Sequence, residues 1–205
     1  MRGYSGTSYA ELITDLETMV NNCATNSTTF TNFNKITDVF KNGTNSQKKG
    51  MHWIMQDLAD DTETFLNKEL KIDFGVQNAR EGNSISKIDV YCETCSDDGL
   101  QLLVEYKHGP NSITSNTIRE QFIERDLFNA TNLNQIQWRM KDTEFTKELL
   151  NDYLNAHRDA IEQLGVDKIN LLFNTSFDEF TSNSQLSQTV IDYFNNTNNY
   201  NAIFK

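Results

Sequence analysis

Asp89, Glu105 and Lys107 are the residues whose types and spacing could do chemistry. They stand in two apolar segments, Lys87-Ile88-Asp89-Val90-Tyr91 and Leu103-Val104-Glu105-Tyr106-Lys107, on either side of the turn signal Ser96-Asp97-Asp98-Gly99. Side chains alternate faces along a strand, so Glu105 and Lys107 project the same way. The run Leu102-Leu103-Val104 before them reads as an interior strand covered on both faces. Charged groups in such a place need compensating partners. A divalent metal between the Asp89 and Glu105 carboxylates, joined by the backbone carbonyl of Tyr106, would supply one. Mg²⁺ favours hard oxygen ligands and keeps several waters, with Mn²⁺ as the alternative. The chemistry that fits is phosphodiester hydrolysis. The metal would polarise a phosphoryl oxygen and acidify a bound water, and Lys107 would orient that water or offset the charge that builds on phosphorus.

The elements that must position these residues follow from periodicity. Helical spacing covers Tyr9 to Val20, and an Asn/Thr/Ser-rich loop follows to Asn34. A short helix covers Lys35 to Lys41, and the polar segment Thr44 to Lys49 marks a boundary. Residues 1–45 read as a helical lead-in and 46–205 as the main domain. Within the latter, Trp53, Ile54, Leu58 and Phe65 predict a helix. Leu70 to Val76, Ile85 to Cys92 and Leu100 to Lys107 read as three strands, with a polar turn from Asn78 to Ser84. Thr117 to Phe128 is a helix, Leu133 to Met140 a further helical piece, and Thr146 to Leu164 the longest helix, ended by Gly165. Ile169 to Phe173 reads as a fourth strand and Ser187 to Phe194 as a closing helix. The order predicts an α/β sandwich with a small central mixed sheet flanked by helices.

Composition sets bounds on these readings. The chain has 205 residues, 37% hydrophobic, with 13 Phe and 7 Tyr, enough bulky apolar side chains for a core. Its net charge of −11 argues against a broad, sequence-blind grip on a phosphate backbone, although a bound cation would change the field locally. That acidity also suits a basic protein partner. No stretch has the length of a membrane-spanning helix, and Met1 to Thr7 lack an apolar signal core. Three cysteines give no disulfide framework. Cys92-Glu-Thr-Cys95 reads as a strand-end pair without metal rather than a zinc half-site or redox pair.

Asp, hairpin, then Glu-x-Lys resembles the PD-(D/E)xK, restriction-endonuclease-like nuclease superfamily, although Ile88 stands where the motif has proline. The resemblance implies an acidic residue on the preceding helix, where Gln56, Asp57, Asp60 and Glu63 are the candidates. It also implies a glutamine on the following helix, where Gln121 matches. Arg119 and Arg125 flank Gln121, either as phosphate contacts or as a solvated face. Lys49 to Trp53, Lys87 to Val90, Val104 to Lys107, Gln121 to Leu127 and Asn134 to Trp138 are similar to the C-terminal nuclease domains of bacterial polymorphic and contact-dependent growth inhibition toxins. That likeness implies secretion or delivery within a larger toxin into a target-cell cytoplasm, attack on DNA or tRNA, and a cognate immunity protein. His52 before the core is similar to the metal-ligating histidine of viral cap-snatching endonucleases, or is a half-buried helical residue. The competing readings are a housekeeping or restriction-type nuclease and an inactive interaction or immunity-type domain whose Asp89, Glu105 and Lys107 form ion pairs.

Overall fold

A computed structural model describes residues 7–61, 63–79 and 84–205. The chain is mixed α/β, and five strands hydrogen-bond in the order β1-β2-β3-β4-β5 to make a mixed sheet. These are β1 (Thr29–Thr31), β2 (Glu69–Gln77), β3 (Ile85–Cys92), β4 (Leu102–His108) and β5 (Ile136–Lys141). The chain divides into two compact units, Met1–Phe74 with Ile88–Leu102, and Gly75–Lys87 with Leu103–Lys205.

The first unit is built on α1 (Tyr9–Thr25), α2 (Asn34–Asn42) and α3 (Asn45–Asp60). Ser8 and Glu11 form a capping box on α1, and Thr44 and Gln47 form one on α3, satisfying N–H groups that the first turns leave unpaired. The polar residues 44–49 are therefore the cap and opening turns of α3. Leu12, Met19 and Cys23 of α1 and Met51, Ile54, Met55 and Leu58 of α3 are buried. Asn22 Nδ2 ties the two helices by donating to the Ala59 carbonyl at 2.9 Å. Phe65, expected on α3, is buried just beyond it. β1 was not expected; it lies in the polar Asn21–Asn34 stretch and pairs in parallel with β2 from Thr29 opposite Glu69. Its three residues carry too little apolar pattern to signal a strand. Cys92 and Cys95 are joined by a disulfide at the end of β3, while Cys23 is a buried thiol.

In the second unit, β4 runs parallel to β5, with Glu105 opposite Trp138 and Lys107 opposite Met140. Leu102 to Tyr106 are buried without a break, as expected of an interior strand. α4 (Ser115–Thr117) runs directly into a π-helical segment, Ile118–Leu127. Around these pack α5 (Lys147–Ala156), α6 (Arg158–Gln163), α7 (Gly165–Phe173), α8 (Asn183–Asn195) and α9 (Thr197–Ile203). The centre is aromatic: Phe122 meets Trp138 edge-on at 5.9 Å and Phe194 at 5.5 Å, and Phe204 lies 5.5 Å from Trp138.

Three expectations are corrected here. Residues 136–141 are a strand, preceded by a single 3₁₀ turn, Leu133–Gln135. The alternation of Ile136 and Trp138, paired onto β4, outweighs helical propensity. Ile169 to Phe173 belong to α7, not to a strand. Ile169 and Leu172 are buried three apart while Leu171 is exposed, which is helical facing. The predicted long helix breaks at His157, whose Nε2 is 2.8 Å from Ser115 Oγ, and Gly165, at φ +82°, opens α7 rather than ending the fold's longest helix. The expected Asn78–Ser84 turn falls partly on 80–83, outside the described residues; its ends meet, Asn78 N–H donating to the Ser84 carbonyl at 3.0 Å.

Candidate active site

β4 presents Glu105 and Lys107 on one face, and the π segment lays Gln121 and Arg125 against them. Lys107 Nζ donates to Glu105 Oε2 at 2.7 Å and to Gln121 Oε1 at 2.6 Å, and lies 5.1 Å from the centre of the Trp138 ring. Arg125 Nη2 lies 2.9 Å from Glu105 Oε1, so each oxygen of that carboxylate faces a cation. Arg125 also donates from Nε to Asp126 Oδ1 at 2.6 Å and from Nη1 to the Lys87 carbonyl at 2.6 Å. The other Asp126 oxygen accepts from Trp138 Nε1 at 2.8 Å. Among the described contacts, two acids and two bases thus meet within a buried cluster.

Exposure grades this cluster. The side chains of Glu105 and Arg125 are 3% and 1% accessible, whereas that of Lys107 is 11%, so Lys107 is the shallower of the two cations. Burial pushes the Asp126 carboxyl up to about 6. Arg125 opposes that rise, the charge of Glu105 adds to it and the Trp138 hydrogen bond lowers it.

The local geometry of the π segment explains why so many of its residues point inward. Ile118, Phe122, Ile123 and Leu127 are buried, and so are Glu124, Arg125 and Asp126. π-helical bonding spans five residues rather than four, which widens the turn. Arg119 Nε accordingly reaches Glu124 Oε1, five residues on, at 2.8 Å, and its other end pairs with Asp159. The charge of Arg119 is reinforced first by that Asp159 hydrogen bond.

Of the residues singled out in the sequence, Glu105, Lys107 and Gln121 come together. Asp89 lies on β3 in the first unit, half-buried, on the strand face opposite the buried Ile88 and Val90. The Tyr106 side chain is buried, and its hydroxyl accepts from Arg139 Nη1 at 3.4 Å. In the first unit, Gln56 Nε2 donates to Asp15 Oδ2 at 2.9 Å, and the same carboxylate pairs with the buried His52. Arg125, expected as a phosphate contact or a solvated residue, is instead interior. Asp126 and the indole of Trp138 were not expected in the cluster. The signal was present: three charged residues in succession, Glu124-Arg125-Asp126, between the apolar pairs Phe122-Ile123 and Leu127-Phe128, with a tryptophan whose N–H needs an acceptor when buried.

Among the described residues no group of three or more His, Cys, Asp or Glu side chains stands ready to hold a metal, and no helix is long and apolar enough to cross a membrane. Compared with family models, curated proteins and solved structures, the chain matches none.

Proposed function

We propose that this chain is a metal-dependent nuclease that hydrolyses phosphodiester bonds of DNA or tRNA. The observation that carries the reading is the Lys107 ammonium, gathered with Glu105 and Gln121 where an interior strand meets a π-helical segment. An amide that steadies a lysine beside a buried carboxylate suits a group that must face a phosphate in a fixed orientation. Glu105 suits a hard cation in its donor chemistry, since a carboxylate has about four lone-pair directions and can serve two cations and a metal together. Asp89 and the Tyr106 carbonyl are the further oxygen donors assigned to it. Mg²⁺ or Mn²⁺, when bound, would polarise the phosphoryl oxygen and supply a nucleophilic hydroxide.

The segments similar to toxin nuclease domains support a delivered toxin, neutralised by an immunity protein and acting in a target-cell cytoplasm. Plasmid DNA and total tRNA, incubated with the protein in Mg²⁺ or in EDTA, test the activity; Asp89→Ala and Lys107→Ala variants test the site. Cleavage that needs metal and both side chains supports the proposal, and intact nucleic acid throughout removes it. Rescue of expressing cells by an adjacent small open reading frame separates a toxin from a housekeeping or restriction-type enzyme.

One observation favours a second reading. The Arg125 guanidinium joins Glu105, Asp126 and the Lys87 carbonyl into a buried network, which is also what an inactive interaction domain would keep for its fold. Under that reading Lys107→Ala changes stability alone.

A further inference from the structure

Cys92 and Cys95 are a pair whose chemistry the proposed function leaves unused. Their disulfide joins the last residue of β3 to the start of the turn that follows, and both lie in the first unit. The two ends differ in depth: Cys92 is 1% exposed, whereas Cys95 is half-buried. The stabilisation that a disulfide gives a fold grows with the length of chain it closes, and this one closes only Cys92-Glu93-Thr94-Cys95. Other bonds already hold that loop. Lys68 Nζ donates to the Thr94 carbonyl and, at 3.3 Å, to Thr94 Oγ1, and Lys71 pairs with Glu93. Just beyond Cys95 the chain closes on itself, Ser96 N–H donating to the Leu100 carbonyl at 3.1 Å and Gly99 N–H to the Ser96 carbonyl at 2.8 Å. The loop therefore keeps its anchors when the S–S bond opens. Its charge also suits sulfur chemistry. Lys71 neutralises Glu93, the one acid between the cysteines, and the Lys68 ammonium sits on the carbonyl next to Cys95, where a cation favours a thiolate.

We propose that Cys92–Cys95 is a reversible thiol–disulfide exchange site, opened at Cys95 by a small thiol of the glutathione class. The incoming thiolate attacks Cys95 Sγ. A mixed disulfide forms as the Cys92–Cys95 bond breaks, and Cys92 Sγ leaves as a thiolate that takes a proton from solvent. A second glutathione thiolate attacks the glutathione sulfur of the mixed disulfide, releasing the Cys95 thiolate and oxidised glutathione. Two electrons thus pass from two glutathiones to the pair, and oxidised glutathione reverses the steps. The inference goes beyond the nuclease reading and does not depend on it.

The test equilibrates the chain in buffers of graded reduced-to-oxidised glutathione ratio, traps it with acid, and counts thiols by mass spectrometry after alkylation with N-ethylmaleimide in denaturant. The count should rise across the series from one, on Cys23, to three, while the circular dichroism of the untrapped chain stays that of the oxidised protein. Cys92→Ser and Cys95→Ser, each treated with oxidised glutathione, locate the reacting sulfur. The remaining Cys95 should take up about tenfold more glutathione than the remaining Cys92, and Cys23, buried with its thiol pushed up to about 11, stays unmodified. Where a serine variant does not fold, the same preference is read from the mixed disulfide trapped on the wild type. A bond that survives the whole series, or that opens only with loss of the circular dichroism signal, is a structural staple and overturns the inference. A count of three in every buffer, or uptake at Cys92 equal to that at Cys95, overturns it as well. Nucleic acid is absent throughout, so none of these outcomes bears on the nuclease reading.

Discussion

Replacing Arg125 by methionine removes one cation from three acceptors. In the wild type the guanidinium lies 2.9 Å from Glu105 Oε1, donates at 2.6 Å to Asp126 Oδ1, and donates at 2.6 Å to the Lys87 carbonyl. Methionine fills much of the volume, so the cavity contribution is small and the loss is electrostatic. Glu105 keeps Lys107 on its other oxygen, and Asp126 keeps the Trp138 indole. Two carboxylates 3% and 1% exposed thus lose their deepest cation. Breaking a buried pair on one side costs roughly 3–5 kcal/mol. For a chain of this size that lowers Tm by roughly 6–20 °C. The cause predicts a pH signature as well. Protonating the stranded carboxylates relieves the penalty, so the gap between variant and wild type narrows as pH falls from 7 toward 5. Urea unfolding followed by circular dichroism at the two pH values measures it. A loss under about 1 kcal/mol, or a loss independent of pH, refutes the reasoning.

Asp126→Asn should remove a pH dependence of the wild type. With the folded carboxyl raised to about 6, its contribution to stability is fully present below the ordinary aspartate value and is lost as pH rises from about 4 through 6. That loss is about 3 kcal/mol, and unfolding curves of wild type and variant across this window should diverge by that amount. Trp138→Phe keeps the aromatic packing but leaves Asp126 Oδ2 without its donor, a cost of about 1–3 kcal/mol by chemical denaturation at pH 7. Under the proposed nuclease reading, Gln121→Ala should lower the cleavage rate about 100-fold by removing one of the groups that orient Lys107, with a thermal midpoint near that of the wild type. Equal losses of midpoint and rate would mark Gln121 as structural.

The strands that carry the candidate site were legible because each has an unambiguous pattern. Ile88, Val90 and Cys92 alternate on β3, and the run into Glu105 could only be an interior strand. Gln121 was legible from its place on the helix after Lys107. The remainder was hidden by long-range effects. Whether Ile136 to Lys141 form a strand depends on a partner 33 residues earlier, Leu103 facing Ile136. Short apolar runs such as Ile169 to Phe173 fit either helix or strand until their neighbours are known. The inward turn of Arg125 was invisible to α-helical periodicity, because a π-helical segment follows another period.

That altered period has a consequence for how the chain tolerates change. Over Ile118–Leu127 the wide turn brings Arg125 and Asp126 to the interior alongside Phe122 and Ile123, with half-buried Gln121 against Lys107. Deleting a single residue before Gln121 would let the coil tighten to the commoner α-helical pitch. The downstream side chains would then be rotated out of step with β4, so that the lysine loses its amide and the guanidinium its acids. Conservative substitutions here act on one contact each, whereas a one-residue indel acts on all of them together.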